Sequence, residues 1–379
     1  MKKIVFLTGS RAEYGKLKPL IKALDSKYFK VHIFVCGMHL LRSHGFTYME
    51  IYKDGFEDVF LGKPYKRSES MDLNLSHTIA DFSKFVRSCK PDMIVVHGDR
   101  LEALSGAIVG AFNNILVAHV EGGEVSGTID ESIRHAVSKL SHIHFVANAK
   151  AKQRLLQLGE NENYIYEIGS PDIDIMLGEN LPSLKDAKDY YKIDFESFII
   201  LALHPVTTDI SSLKANMIAT IEALKASKEN FVVIYPNNDL GSEIILKNIK
   251  PLKRLVNFKV FPSIRFEMFL TLLKHAKAIV GNSSAGVREA PIFGTPSIDI
   301  GSRQTNRYDA NPLITHIESS KDLLPALKAL KDRSKIESNF SEGEFGDGKA
   351  SLRFKTALES KELWDLKIQK NFIDLKWGM

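Results

Sequence analysis

The sequence predicts an α/β protein made of two doubly wound domains. Short apolar runs alternate with amphipathic helical stretches along most of the chain, which is the pattern of parallel strands and crossover helices. The alternation comes in two sets, one in each half. With 379 residues, 44% of them hydrophobic and 26% charged, the chain can also bury two separate cores.

In the first half the strand candidates are 4–8, 31–36, Met93–His97, 115–120, 144–147 and 164–168. Each is apolar or β-branched and is followed by Gly or Asn, as expected of strands buried on both faces. Between them lie helical stretches such as 16–24 and Leu101–Phe112, and Ile133, Ala136, Val137 and Leu140 trace one face of another. The second half continues with 198–203, 231–235, Phe258–Phe261, Ala278–Gly281 and Ser297–Ile300. The polar stretch from Pro171 through Pro182 and Lys185 links the two sets, giving domains at 1–172 and 180–351. After a Gly-rich loop from Gly343 to Gly348, the tail from Leu352 to Ile373 is helical in pattern. Residues 352–379 are therefore expected to form a helix that crosses back onto the first domain and braces a cleft between the two.

Composition narrows the function classes. No apolar run approaches the roughly 20 residues of a bilayer span. The apolar part of the start, Ile4 to Leu7, is too short for a signal peptide and is cut off by Thr8-Gly9-Ser10-Arg11. Mean hydropathy is -0.11, and no membrane partner is expected. Cys36 and Cys89 rule out a disulfide scaffold and read as buried free thiols in a reducing cytoplasm. The net charge of +5 is spread along the chain without a basic block, which argues against nucleic acid and suits a phosphate-bearing small ligand.

Ligands of open α/β sheets bind beyond the carboxyl ends of the strands, so the turns there are the candidate sites. The first, from Thr8 to Lys16, looks like a phosphate loop but misses the Walker spacing, and Leu17 follows the lysine. It is either a plain turn or a helix N-terminus with Arg11 facing an anion. In His97-Gly98-Asp99-Arg100, Asp99 caps a helix, does chemistry, or both. Glu121, between an apolar strand and Gly122-Gly123, is costly to bury unless paired or useful. Thr128 and Glu131 have capping-box spacing, which puts Asp130 in a first helical turn. There it compensates the dipole, pairs with Arg134, or acts on substrate. His204, fixed at a strand end by Pro205, is either a core histidine or a functional one. The run Gly281-Asn282-Ser283-Ser284-Ala285-Gly286-Val287-Arg288-Glu289 exposes amide groups at a helix start, an anion site suited to a diphosphate, with Glu289 placed for a ribose diol. Gly301-Ser302-Arg303-Gln304 adds another arginine after a strand. No dinucleotide glycine fingerprint and no metal-ligand spacing occurs, so neither a redox cofactor nor a metal is expected.

In order, and over nearly the whole chain, these motifs resemble the UDP-N-acetylglucosamine 2-epimerase family. The likeness is greatest to its hydrolysing branch in bacterial sialic and related nonulosonic acid synthesis. The resemblance implies two Rossmann-type domains in a glycosyltransferase-B-like arrangement, the second holding the nucleotide, and a cytoplasmic homodimer without cofactor. It implies a UDP-sugar substrate, with UDP-N-acetylglucosamine and water becoming N-acetylmannosamine and UDP through 2-acetamidoglucal. The catalytic set it carries over is Asp99, Glu121, Asp130 and His204. The substrate and UDP contacts are Arg11, Arg100, Asn237, Ser283, Ser284, Glu289 and Arg303. Three readings compete with this one. The same mechanism could act on a UDP- or GDP-linked 2,4-diacetamido-2,4,6-trideoxy sugar of the legionaminic acid route. A retaining glycosyltransferase or a nucleotide-sugar sensor could share the scaffold, since fold does not fix function.

Overall fold

A computed structural model describes residues 1–64, 70–207, 209–308, 310–330 and 345–374. It divides into two compact units. The first comprises residues 1–124, 130–180 and 342–379, and the second comprises 125–129 and 181–341.

The first unit is built on seven parallel strands: β1 (Lys2–Thr8), β2 (Phe29–Val35), β3 (Val59–Leu61), β4 (Met93–His97), β5 (Leu116–Val120), β6 (Ile143–Val146) and β7 (Ile165–Glu167). Their order is β3-β2-β1-β4-β5-β6-β7. In register, Ile4 of β1 lies opposite Val31 of β2 on one side and Met93 of β4 on the other. Residues 4–7 are wholly buried, because crossover helices cover both faces of a parallel sheet.

Six parallel strands form the second unit: β8 (Ile199–Ala202), β9 (Phe231–Ile234), β10 (Phe258–Phe261), β11 (Ala278–Gly281), β12 (Ser297–Ile300) and β13 (Ile314–Ile317). Their order, β10-β9-β8-β11-β12-β13, repeats the scheme of the first sheet. Eleven of these thirteen strands coincide with runs expected from sequence. The other two, β3 and β13, are sheet edges of three and four residues, half-exposed and too short for a periodic signal.

The C-terminal segment belongs to the first unit. Helix Ala350–Glu359 starts on Asp174, whose carboxylate accepts from the amides of Ala350 (2.8 Å) and Ser351 (2.7 Å). Phe354 then inserts between Phe6 and Phe145, with ring centroids 6.3 and 4.7 Å away. The loop residues from 345 also group here rather than with 180–351, and part of the Gly343–Gly348 loop lies outside the described residues. Helix does not continue to Ile373, however. It ends at Glu359, one short turn, Lys361–Trp364, follows, and the chain then runs without helix. Lys370 explains the change. Its ammonium donates to the carbonyls of Lys139 (2.8 Å) and Ser141 (2.6 Å) at a helix C-terminus and to Glu160 (2.5 Å). Glu160, almost buried, needs that cation.

Burial alone raises the Glu160 carboxyl, but the hydrogen bond from His144 and the Lys370 charge outweigh it and bring the group from 4.5 to about 2. A carboxyl depressed by folding stabilises the fold above its ordinary value and stops doing so as the pH drops towards the folded one. Acidification from 4.5 to about 2 is therefore expected to remove about 2–3 kcal/mol of stability from the wild type. The Glu160→Gln variant, less stable at neutral pH, should lack this acid limb in thermal unfolding followed against pH.

Candidate active site

The strand order of each sheet reverses once, between β1 and β4 in the first unit and between β8 and β11 in the second. At such a switch point the neighbouring crossovers leave to opposite faces and the strand ends stay open. The turns after these four strands, with the one after β5, carry most of the side chains singled out from sequence.

In the first unit, Glu121 follows β5 with φ of 60°, a left-handed conformation unusual for glutamate and a mark of a constrained position. Its amide donates to Phe145 O (2.9 Å). One carboxylate oxygen accepts from Ser170 Oγ. The other lies 3.2 Å from His97 Nε2 and 3.6 Å from Lys16 Nζ. Lys16 also reaches Asp172 at 2.9 Å, so one ammonium serves two buried carboxylates. Lys16, which the sequence already set apart from a Walker lysine, thus points inward to anions of its own unit.

Asp99, after β4, is not a helix cap. Helix Leu101–Phe112 has Arg100 at its N-cap and no side-chain capping bond. Asp99 instead accepts from Nη2 of Arg134, the largest fully buried side chain among the described residues, whose Nη1 donates to Glu124 O (3.1 Å). A buried guanidinium requires such an anion. The turn before Asp99 is fixed by His119, which donates from Nε2 to Gly98 O (2.8 Å) and accepts at Nδ1 from Ser138 Oγ (3.0 Å). Burial pushes His119 down to about 3, so it stays neutral. Asp130 is half-buried in the first turn of helix Ile129–Leu140. Arg11 pairs with Glu50 at 2.5 Å, and Arg100 Nε lies 3.4 Å from Glu102.

In the second unit, Asn282 ties the two switch-point strands together. Its Oδ1 accepts from His204 N (2.7 Å) and its Nδ2 donates to His204 O (2.9 Å). Arg303 Nη1 (3.2 Å) and Gln304 Nε2 (2.8 Å) both donate to Asn282 O. Gly281 permits this approach, because a Cβ there would stand 2.0 Å from Ala202 O. The His204 ring accepts at Nδ1 from the amide of Asn237 (3.1 Å). An amide only donates, so the neutral ring carries its proton on Nε2 and offers a hydrogen-bond donor there.

The structure thus gathers His204, Asn237, Asn282 and Arg303. The run from Ser283 departs from expectation. Ser283 caps a single 3-10 turn, Ser284–Gly286, and a four-residue helix, Glu289–Ile292, follows. Pro291 lies within that helix and Gly294 just beyond it. The macrodipole of a long helix is absent at this turn. Glu289 is buried at the head of the short helix. His97, Ser170 and the clamp role of Asn282 were not singled out from sequence. Ser170 lies 49 residues from Glu121, and no local pattern joins them.

Two units of parallel sheet with the same strand order, polar turns at both switch points, define a two-domain α/β enzyme of glycosyltransferase-B-like fold. The model of the UDP-N-acetylglucosamine 2-epimerase family matches residues 22–359, and the chain belongs to that family. It is 44% identical over 377 residues to the UDP-N-acetylglucosamine 2-epimerase of Neisseria meningitidis serogroup B, covering 99% of this chain and 100% of the relative. It is 32% identical over 358 residues to the UDP-N,N'-diacetylbacillosamine 2-epimerase (hydrolyzing) of Legionella pneumophila, covering 93% and 94% of the two chains. Among solved structures, the Methanocaldococcus jannaschii UDP-GlcNAc 2-epimerase in complex with UDP-GlcNAc and UDP superimposes with a TM-score of 0.78 at 22% identity. That match covers 94% of this chain and 99% of the other, and it shows the shared fold.

Removing the clamp takes two hydrogen bonds from the His204 backbone. Asn282→Ala is expected to cost about 1–3 kcal/mol in urea unfolding. Asn282→Asp, which sets a buried carboxylate oxygen against the His204 carbonyl, should be at least as destabilised.

Proposed function

We propose that the enzyme is a hydrolysing 2-epimerase that converts UDP-N-acetylglucosamine and water to N-acetylmannosamine and UDP through 2-acetamidoglucal. The observation that carries this reading is the set of three carboxylates, Asp99, Glu121 and Asp130, on the turns after β4 and β5 and on the helix that follows. Glu121 in particular is held by Ser170, His97 and Lys16 in a strained backbone conformation. The Neisseria and Legionella relatives support it, one by its substrate and the other by its hydrolysing activity.

The C2 proton of the sugar has no adjacent carbonyl to acidify it, so its removal accompanies departure of the diphosphate. A carboxylate takes the C2 proton, the C1–O bond to UDP breaks, and the C1–C2 double bond forms. Water then adds through oxygen at C1, and an acid returns a proton to C2 on the opposite face. Fixed donors stabilise the charge that builds on the leaving diphosphate. In this proposal those donors are Arg303, the Ser283–Ser284 turn and the Nε2–H of His204. Asn237 and Glu289 orient the nucleoside. His204 is a donor here and not a base, because its only lone pair is already engaged by Asn237.

The names of relatives at 32–33% identity raise a second substrate, a UDP- or GDP-linked diacetylbacillosamine processed by the same steps. A UDP-release assay across both sugar nucleotides, with NMR identification of the freed sugar, separates the two. In heavy water the product is expected to carry deuterium at C2, and protium alone there rules out the elimination.

Asp99→Asn, Glu121→Gln and Asp130→Asn are each expected to lower kcat by about 10²–10⁴. UDP affinity, read by calorimetry, should stay near wild type in all three.

A further inference from the structure

The turn of residues 170–172, where the sequence suggested a link between domains, grips Glu121 from two sides. Ser170 is fixed by its amide, which donates to Phe345 O (2.7 Å), and helix Pro171–Met176 begins after it. Ser170 stands at the N-cap of that helix, yet its hydroxyl makes no capping bond. It donates instead to one carboxylate oxygen of Glu121. Two residues on, Asp172 is 1% exposed and meets the Lys16 ammonium at 2.9 Å. The same ammonium faces the other Glu121 oxygen from 3.6 Å, beyond hydrogen-bond length.

Lys16 therefore pairs with Asp172 and stands off from Glu121. Asp172 needs that cation, because it is buried and a helix of six residues has little dipole to offer. His97, from β4, faces the same Glu121 oxygen as Lys16, at 3.2 Å. The other charged and titratable groups of the surrounding elements have partners of their own. Glu13, on helix Arg11–Ala23 with Lys16, accepts from the Gly9 amide at 2.6 Å. Asp174 caps helix Ala350–Glu359, whose Arg353 pairs with Asp347 at 2.6 Å. Asp99 holds Arg134, His144 of β6 meets Glu160 at 3.0 Å, and His119 of β5 is neutral.

We propose that Asp172 is a positioning residue for Glu121: it anchors Lys16 so that the ammonium does not close on the Glu121 oxygen that takes the C2 proton. Ser170 occupies one oxygen and fixes the plane of the carboxylate. The anchored ammonium keeps the group ionised and leaves the second oxygen able to accept a proton. A cation closed directly onto that oxygen makes the carboxylate a weaker base. Without the Asp172 charge, Lys16 covers the remaining distance to Glu121. The effect on catalysis rests on the function proposed above, whereas the charge arrangement does not.

Asp172→Asn keeps the shape and removes the charge. The titration of Glu121 is followed by carboxyl NMR of enzyme labelled at its glutamate side chains, the signal being assigned by its loss in Glu121→Gln. In Asp172→Asn the titration is expected to move down by about one pH unit or more. In Lys16→Met it is expected to move up by a similar amount, since two buried carboxylates then lack their shared cation. The double variant, with both charges gone, should lie between the two single ones. The acid limb of kcat/KM for UDP release should follow the same order, and the Asp172→Asn plateau should fall roughly three- to tenfold. An ion pair that only supports the fold destabilises both single variants without moving the titration in opposite directions. A Glu121 titration unmoved in Asp172→Asn, or moved the same way in both single variants, overturns the proposal. Shifts in the titration that the rate profile does not follow overturn the catalytic role of the pair. If no sugar nucleotide releases UDP from the wild type, the functional reading fails, and the NMR titration still decides whether Asp172 sets the charge at Glu121.

Discussion

Each unit depends on the single place where its strand order turns back. A parallel strand reaches its neighbour only through a crossover, and helices laid on both faces leave no room for polar groups except at the strand ends. Between β1 and β4, and again between β8 and β11, adjacent crossovers diverge and the carboxyl ends stand open. The apolar strands thereby dictate where the polar residues collect. Glu121, Asp99, His204 and Asn282 all lie within two residues of a strand end, since no other place in a doubly wound sheet holds them without burying them unpaired.

Collecting charge there creates its own requirement. Lys16 bridges Glu121 and Asp172, Arg134 joins Asp99 to the backbone of Glu124, and Asn282 satisfies both main-chain groups of His204. Each bond restrains a group that the proposed reaction uses, so the side chains meet a substrate already oriented. Neutrality and preorganisation come from the same contacts. The strained backbone of Glu121 is the visible cost, held in place by Ser170 and by the pairing of its amide with β6.

Most of the scaffold was legible from the chain alone because buried parallel strands are nearly continuous apolar runs. The motifs at their ends were legible as well, because Gly, Asp, His and Ser stand out against Val and Ile. Direction was not. Nothing local reveals that Lys16 faces Asp172, that Asp99 faces Arg134, or that Asn282 holds His204, since those partners lie 35 to 156 residues apart or across the sheet. The edges β3 and β13 carry too few residues to show a period. The tail read as helix throughout, and it gives up that conformation because one buried carboxylate takes its lysine. Tertiary pairing of charges overrode local propensity at each of these points.

The route of the chain through the two units has a consequence for its synthesis. The polypeptide leaves the first unit at Asn180, and helix Ala350–Glu359, whose Phe354 closes the core between Phe6 and Phe145, is translated only after residues 181–341. At about 5–20 residues per second, the ribosome needs on the order of ten seconds or more for that insertion. The second unit, whose strands are contiguous in sequence, emerges complete while the older half of the molecule still exposes an aromatic slot. The order of maturation is thus the reverse of the order of translation, and the nascent first unit is the part on which chaperones have most time to act.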